Sequence, residues 1–204
     1  MDVDARTMLR AGPAFAATFV VAAAIGRPFG HMPSPEAVER RLEQQRMRML
    51  IGTWLESLAA FLLMVFSAGL ASRLREAEGD GGPLPSMALA GGVGTSVLLL
   101  GRAAATAAAV ERTGAEGARP ETATFAIDLG NLMIGKMAPM TLAAMIGAAA
   151  IAGHRHRLFP RWCVWASGAL TATLLSPVNF LFLVSGLMWA AVVGWLLGQE
   201  RADG

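Results

Sequence analysis

Two ionisable side chains sit inside an apolar run that offers them no company. Asp128 and Lys136 lie within Ala126–Met140, AIDLGNLMIGKMAPM, itself part of a run from Thr122 to Ala152 with the length of a membrane-spanning helix. Hydrocarbon tolerates a charge poorly, so each needs a partner, water or a function. Other apolar runs carry polar groups at a similar count from one end. Glu56 lies 17 residues before Arg73, Arg102 lies 18 after Leu84, and Lys136 lies 18 before His154. Arg27 lies 17 after Arg10 and Asn179 lies 20 before Gln199. At 1.5 Å per residue these positions sit about 25–30 Å from one face of the membrane. Asp128 and Asn131 lie further out by about one to two turns.

One polar tier is therefore expected, made of Arg27, Glu56, Arg102, Asp128, Asn131, Lys136 and Asn179. Helical spacing supports it. Asp128, Asn131 and Gly135 follow i, i+3, i+7, Thr95, Arg102 and Thr106 share a face, and Thr53, Glu56, Ala60 and Ser67 share another. Two kinds of chemistry fit. In one, Arg102 pairs with Glu56 or Asp128 to fix packing, while the other bases reach outward to phosphates. In the other, the tier's surplus positive charge makes an outward-facing pocket for an anionic or zwitterionic ligand, such as a lipid headgroup. Arg102 carries five donors that need acceptors, and Glu56, Asp128 and Asn131 are those at suitable depth.

Other chemistry is not signalled. His154 and His156 form an H-x-H pair in a basic loop with no Cys, Asp or Glu close in sequence, so no metal site is expected. His31 stands alone, and neither a nucleophile elbow, a P-loop nor H-E-x-x-H occurs. Glu56 and Asp128 could do acid–base work, but nothing beside them looks like a nucleophile. No catalytic residue and no cofactor is assigned. The single cysteine, Cys163, permits no internal disulfide, and the net charge of +2 gives no reason to expect nucleic acid as a partner.

The elements that must position these groups are apolar helices. The chain has 204 residues, 54% hydrophobic and 16% charged, against about 25% charged in an ordinary soluble domain. The expected fold is all-α, a single transmembrane domain over 1–204 with six spans at about 11–27, 50–72, 84–110, 123–152, 161–176 and 178–198. The first run, preceded by Arg6 and Arg10 and ending near Ala22-Ala23-Ala24, could also be read as a signal peptide. Five further runs favour a span. Ser34-Pro35-Glu36 is a helix start, and Glu36–Met49 runs without a breaker into the second span. That helix should begin outside the hydrocarbon as an amphipathic lead-in, solvated or docking a partner. Pro139 should kink the fourth span.

Orientation follows from Arg placement. With the N-terminus inside, eight Arg lie on inner segments and seven on outer ones, nearly a tie. Trp162, Trp165 and Trp195 near the basic 154–161 loop favour both termini in the cytoplasm. In the sixth span Gly186, Ala190, Gly194 and Gly198 form a four-residue ladder of small side chains, which lets helix backbones approach closely. Internal packing explains it, as would an interface with a second copy or another membrane protein.

Two further stretches, Leu70-Ala-Ser-Arg-Leu-Arg75 ending a span before a Gly-rich turn, and Leu158-Phe-Pro-Arg-Trp162 opening a later hairpin, carry a resemblance. From Trp54 onward the layout resembles a class of small multi-pass membrane proteins of high-GC, actinobacteria-like bacteria. The resemblance implies a bacterial inner-membrane location and supplies no catalytic residues. The functional expectation is a non-enzymatic membrane protein, either an accessory subunit of a complex or a lipid-interacting protein. A small transporter or channel for an anionic or amphipathic solute is the alternative, and a membrane-embedded enzyme the third.

Overall fold

The computed structural model describes residues 3–26, 34–79, 81–113, 119–176 and 183–199. These form eight α-helices and one π-helical turn: α1 (Val3–Leu9), α2 (Ala11–Gly26), α3 (Pro35–Glu78), α4 (Pro83–Arg112), α5 (Pro120–Leu132), the π turn (Met133–Met137), α6 (Ala138–His156), α7 (Arg161–Leu174) and α8 (Leu183–Gln199). No strand occurs among the described residues, so the all-α bundle is the fold. Four helical runs are long and apolar enough to cross a membrane: Ala5–Gly26, Pro35–Glu78, Pro83–Arg112 and Pro120–His156. This is the build of a multi-pass membrane protein. The last two helices are shorter, with 14 residues in α7 and 17 in α8. At 1.5 Å per residue α7 is about 21 Å long, short of a core roughly 30 Å thick.

The first helical run starts earlier than position 11. Ala5 and Leu9 are buried, and Gly69 of α3 receives them, with its missing side chain leaving room for the Met8 Cβ and the Leu9 backbone nitrogen. An apolar i, i+3, i+4 stripe over Ala5, Met8 and Leu9 explains why this polar-looking start is helical.

Helix α3 spans 44 residues, with one kink. Ser34 caps it, its hydroxyl oxygen accepting from the Ala37 N–H at 3.3 Å, with Pro35 at the first position. Its hydroxyl also holds the Glu36 carboxyl below the usual carboxylate range. One residue, Gln45, leaves helical dihedrals (φ −117°, ψ 15°), and the helix bends there. The lead-in is not merely solvated. Val38, Leu42 and Met49 pack with Ala109 and Val110 of α4 and Ile127 of α5, a small second core above the main one. The main core gathers Leu63, Phe66, Leu99, Leu142, Met145 and residues around them.

Pro139 lies just past the π turn rather than at a simple kink. Proline lacks an N–H and its ring crowds the carbonyl four residues back. The wider turn absorbs both defects, with the Ala138 N–H bonding to the Met133 carbonyl.

Glycine lets α4 and α6 touch. A side chain at Gly91 would meet the Met145 backbone nitrogen and the Thr141 carbonyl oxygen, both at 2.6 Å. Neither can give, so Gly91→Ala should push the helices apart and cost about 1–3 kcal/mol. Thermal melting in detergent checks this. Gly168→Ala, where nothing lies within 4 Å, should melt like the unaltered protein.

Candidate functional site: an ion pair between the central helices

Glu56 stands on α3 and Arg102 on α4. The Arg102 Nη1 donates to the Glu56 Oε1 at 2.8 Å, with the two side chains 19% and 8% accessible. The carboxylate is thus buried and the guanidinium half-buried. Small and hydroxyl-bearing residues flank the pair. Thr53, one turn before Glu56, is buried and its hydroxyl donates to the Leu50 carbonyl at 2.9 Å. Ser57 donates in the same way to the Thr53 carbonyl. Gly130 of α5 covers Arg102, and a Cβ there would lie 3.1 Å from the Arg102 Cγ. A larger residue at 130 would press on the guanidinium stem, so the opening for Arg102 is built by an absent side chain.

The rest of the expected tier does not converge on the pair. Asp128 and Lys136 are exposed on the outside of the bundle and Asn131 is half-buried. Among the described residues no ion pair or hydrogen bond joins Asp128 or Lys136 to another side chain. The physical reason is helical phase. The inward positions of this run are Ile127, Gly130 and Ile134, spaced by three and four, and the two charges fall outside that stripe. Arg27 and Asn179 lie outside the described residues.

The ladder on α8 packs within the chain. Gly186 abuts Leu142 of α6, and the Ala190 carbonyl oxygen lies against Gly12. Gly194 faces the Leu9 carbonyl oxygen and Pro13, and a Cβ at Gly198 would lie 3.8 Å from the Arg10 Cγ.

Among the described residues three further interhelical hydrogen bonds occur that the sequence does not announce, the first from the Ser67 hydroxyl to the Met145 sulfur at 3.5 Å, linking α3 to α6. The Thr95 and Thr141 hydroxyls share one at 2.9 Å, linking α4 to α6. The Trp189 indole N–H donates to the Ser167 hydroxyl at 2.7 Å, linking α8 to α7. Their only sequence signal is a hydroxyl on an otherwise small or apolar face. His154 and His156 are exposed at the end of α6. Among the described residues no three His, Cys, Asp or Glu side chains gather as a metal site.

Outside the pair, a cleft of about 340 Å³ opens between the lead-in of α3, the end of α4 and the start of α5. Glu39, Arg112 and Arg119 line its rim, and Ala109, Ala123 and Ala126 its floor.

Removing one partner of a buried pair leaves the other uncompensated, at a cost of about 3–5 kcal/mol. Arg102→Ala and Glu56→Ala should each melt well below the unaltered protein in detergent. The double variant Glu56→Leu with Arg102→Leu should recover much of the loss. Single variants that melt like the unaltered protein would show that the pair contributes nothing.

No protein-family model matches the chain, and comparison with curated proteins and with solved structures likewise finds no match.

Proposed function

We propose that the protein is a non-enzymatic accessory subunit of a complex in a bacterial inner membrane. The observation that carries this is the outward face of α5, the π turn and the start of α6. Phe125, Leu129, Leu132, Met137 and Met140 are exposed there, as apolar residues facing lipid would be. Asp128 and Lys136 are exposed on the same side. Charges on a lipid face are expensive, and another membrane protein that covers them removes the cost. Against a transporter, the Glu56–Arg102 pair is spent on itself, and the level below it is filled by buried Leu63, Phe66, Leu99 and Leu142.

The cleft between α3, α4 and α5 favours lipid interaction as a second reading. Its two guanidinium groups and apolar floor suit a phosphate headgroup with an acyl chain beside it.

Extraction in native nanodiscs, followed by mass spectrometry of retained proteins and lipids, separates the two. The subunit reading expects one protein at fixed stoichiometry, lost on Asp128→Leu with Lys136→Leu. The lipid reading expects an anionic lipid instead, lost on Arg112→Ala with Arg119→Ala. Retention of neither sets both aside.

The same reading puts both termini in the cytoplasm, on the Arg and Trp placement given above. Single cysteines at Ser34 and Ser86 report on it in intact cells. Impermeant maleimide should reach position 34 and not 86, and the opposite pattern reverses the orientation.

A further inference from the structure

Close approaches between helices give a ruler for depth. Gly130 opposes Arg102, Gly101 opposes Met133, and Thr95 bonds Thr141. Gly92 opposes Ser67 on α3, as Arg102 meets Glu56. On this ruler Asp128 lies just beyond the Glu56–Arg102 pair. Lys136 lies level with about Ala60, roughly one turn deeper than the pair, and so further from the outer edge than counting along the chain implied.

Phe125, Asp128, Leu132, Lys136 and Met140 all lie on the exposed side. At 3.6 residues per turn Asp128 and Lys136 would stand about 80° apart. The π turn holds Lys136 and takes back part of that angle, because each wide turn carries an extra residue. The result is an apolar stripe with an acid near one edge and a base about 12 Å deeper.

We infer that this stripe docks a single membrane-spanning helix of another protein, carrying a basic residue opposite Asp128 and an acidic residue about 12 Å deeper opposite Lys136. The inference rests on the accessory-subunit reading and names the partner's chemistry. A second copy of this chain does not fit. Two copies inserted the same way and meeting through this stripe are related by a two-fold axis along the membrane normal, so Asp128 would face Asp128 and Lys136 would face Lys136. Copies inserted in opposite senses could pair Asp128 with Lys136 only by crossing at Leu132. That crossing must lie at the middle of the bilayer, yet Leu132 is level with the Glu56–Arg102 pair. Glu56 is four residues from Gly52, which meets the end of the first span at Gly26, and 17 from Arg73. It therefore lies about 10 Å off centre, and the two hydrocarbon belts would be offset by about 20 Å.

The test uses the full chain, labelled with a donor fluorophore, in phosphatidylcholine vesicles. Three acceptor-labelled Leu/Ala helices of about 23 residues are added. One carries Lys near its end with Glu eight residues inward, one carries the two reversed, and one carries neither. Energy transfer should show the first associating at least about tenfold more tightly than the second, with the third between them. Asp128→Lys with Lys136→Asp should invert that order, and Asp128→Asn with Lys136→Gln should abolish it. All these positions are exposed, so the variants should melt like the unaltered protein. Equal association of the three peptides overturns the inference, as does an unchanged order in the swapped variant. Transfer between two labelled copies that is lost on Asp128→Asn with Lys136→Gln overturns it too. If a stoichiometric partner is retained in nanodiscs while the peptides show no preference, the subunit reading stands and this one falls.

Discussion

The Glu56–Arg102 pair sets the register of α4 against α3. A guanidinium keeps its charge, so Arg102 inside a membrane-sized bundle must find an acceptor. It finds one on the neighbouring helix, at 2.8 Å. Sliding α4 along α3 by a single turn, about 5.4 Å, would break that bond and bury both charges alone. The same register brings Gly92 against Ser67 and Gly91 against Thr141 and Met145, where only glycine fits. A buried pair often contributes little net stability over an apolar substitute, but it penalises every alternative alignment. Here the packing and the charge agree on one alignment, which is what specifies it.

The remaining polar groups in the interior are treated differently. Ser67, Thr95, Ser96, Ser167 and Thr171 each donate to a carbonyl four residues earlier on their own helix. Their hydroxyls are satisfied without any neighbour, so they behave as small residues that tolerate close packing. Only a few then reach across. Ser67 also reaches the Met145 sulfur, Thr95 also meets Thr141, and Ser167 also accepts from the Trp189 indole. The bundle thus spends one charge pair on register and uses hydroxyls and glycines for proximity.

How much of this was legible in the sequence follows from what each signal depends on. The nearly continuous α3 was readable, because Ser34-Pro35-Glu36 starts a helix and no strong stop follows until Gly79, whereas the kink at Gln45 carries no sequence signal. Arg102 beside Glu56 was readable as one of a few pairings, because depth can be counted and a charge demands a partner. The outward facing of Asp128 and Lys136 was not. Depth alone says nothing of direction, and the i, i+3, i+7 spacing of Asp128, Asn131 and Gly135, with Lys136 beside them, suggested an inner face. The competing stripe of Ile127, Gly130 and Ile134 won because burying two Ile side chains and admitting Arg102 beside Gly130 outweighs hiding two charges. The π turn was also hidden. Pro139 announced a local defect, but whether a helix bends or widens depends on the carbonyls around it.

That phase choice has an energetic consequence. Insertion scales charge about 2.5–3.5 kcal/mol for an acid or base at the centre of a spanning helix, less near the edge. Two such charges are a sizeable fraction of a typical folding stability of about 5–15 kcal/mol. A rotation of α5 by one residue, about 100°, would turn Asp128 toward Arg102 and away from lipid. The fold does not take it, since Gly130 already occupies the place nearest Arg102 and Glu56 already neutralises it. A second acid there would bring an excess negative charge into the interior, which is worse than leaving it outside. The charges of the internal pair already balance, one acid against one base, and that balance leaves Asp128 and Lys136 to face whatever lies beside the bundle.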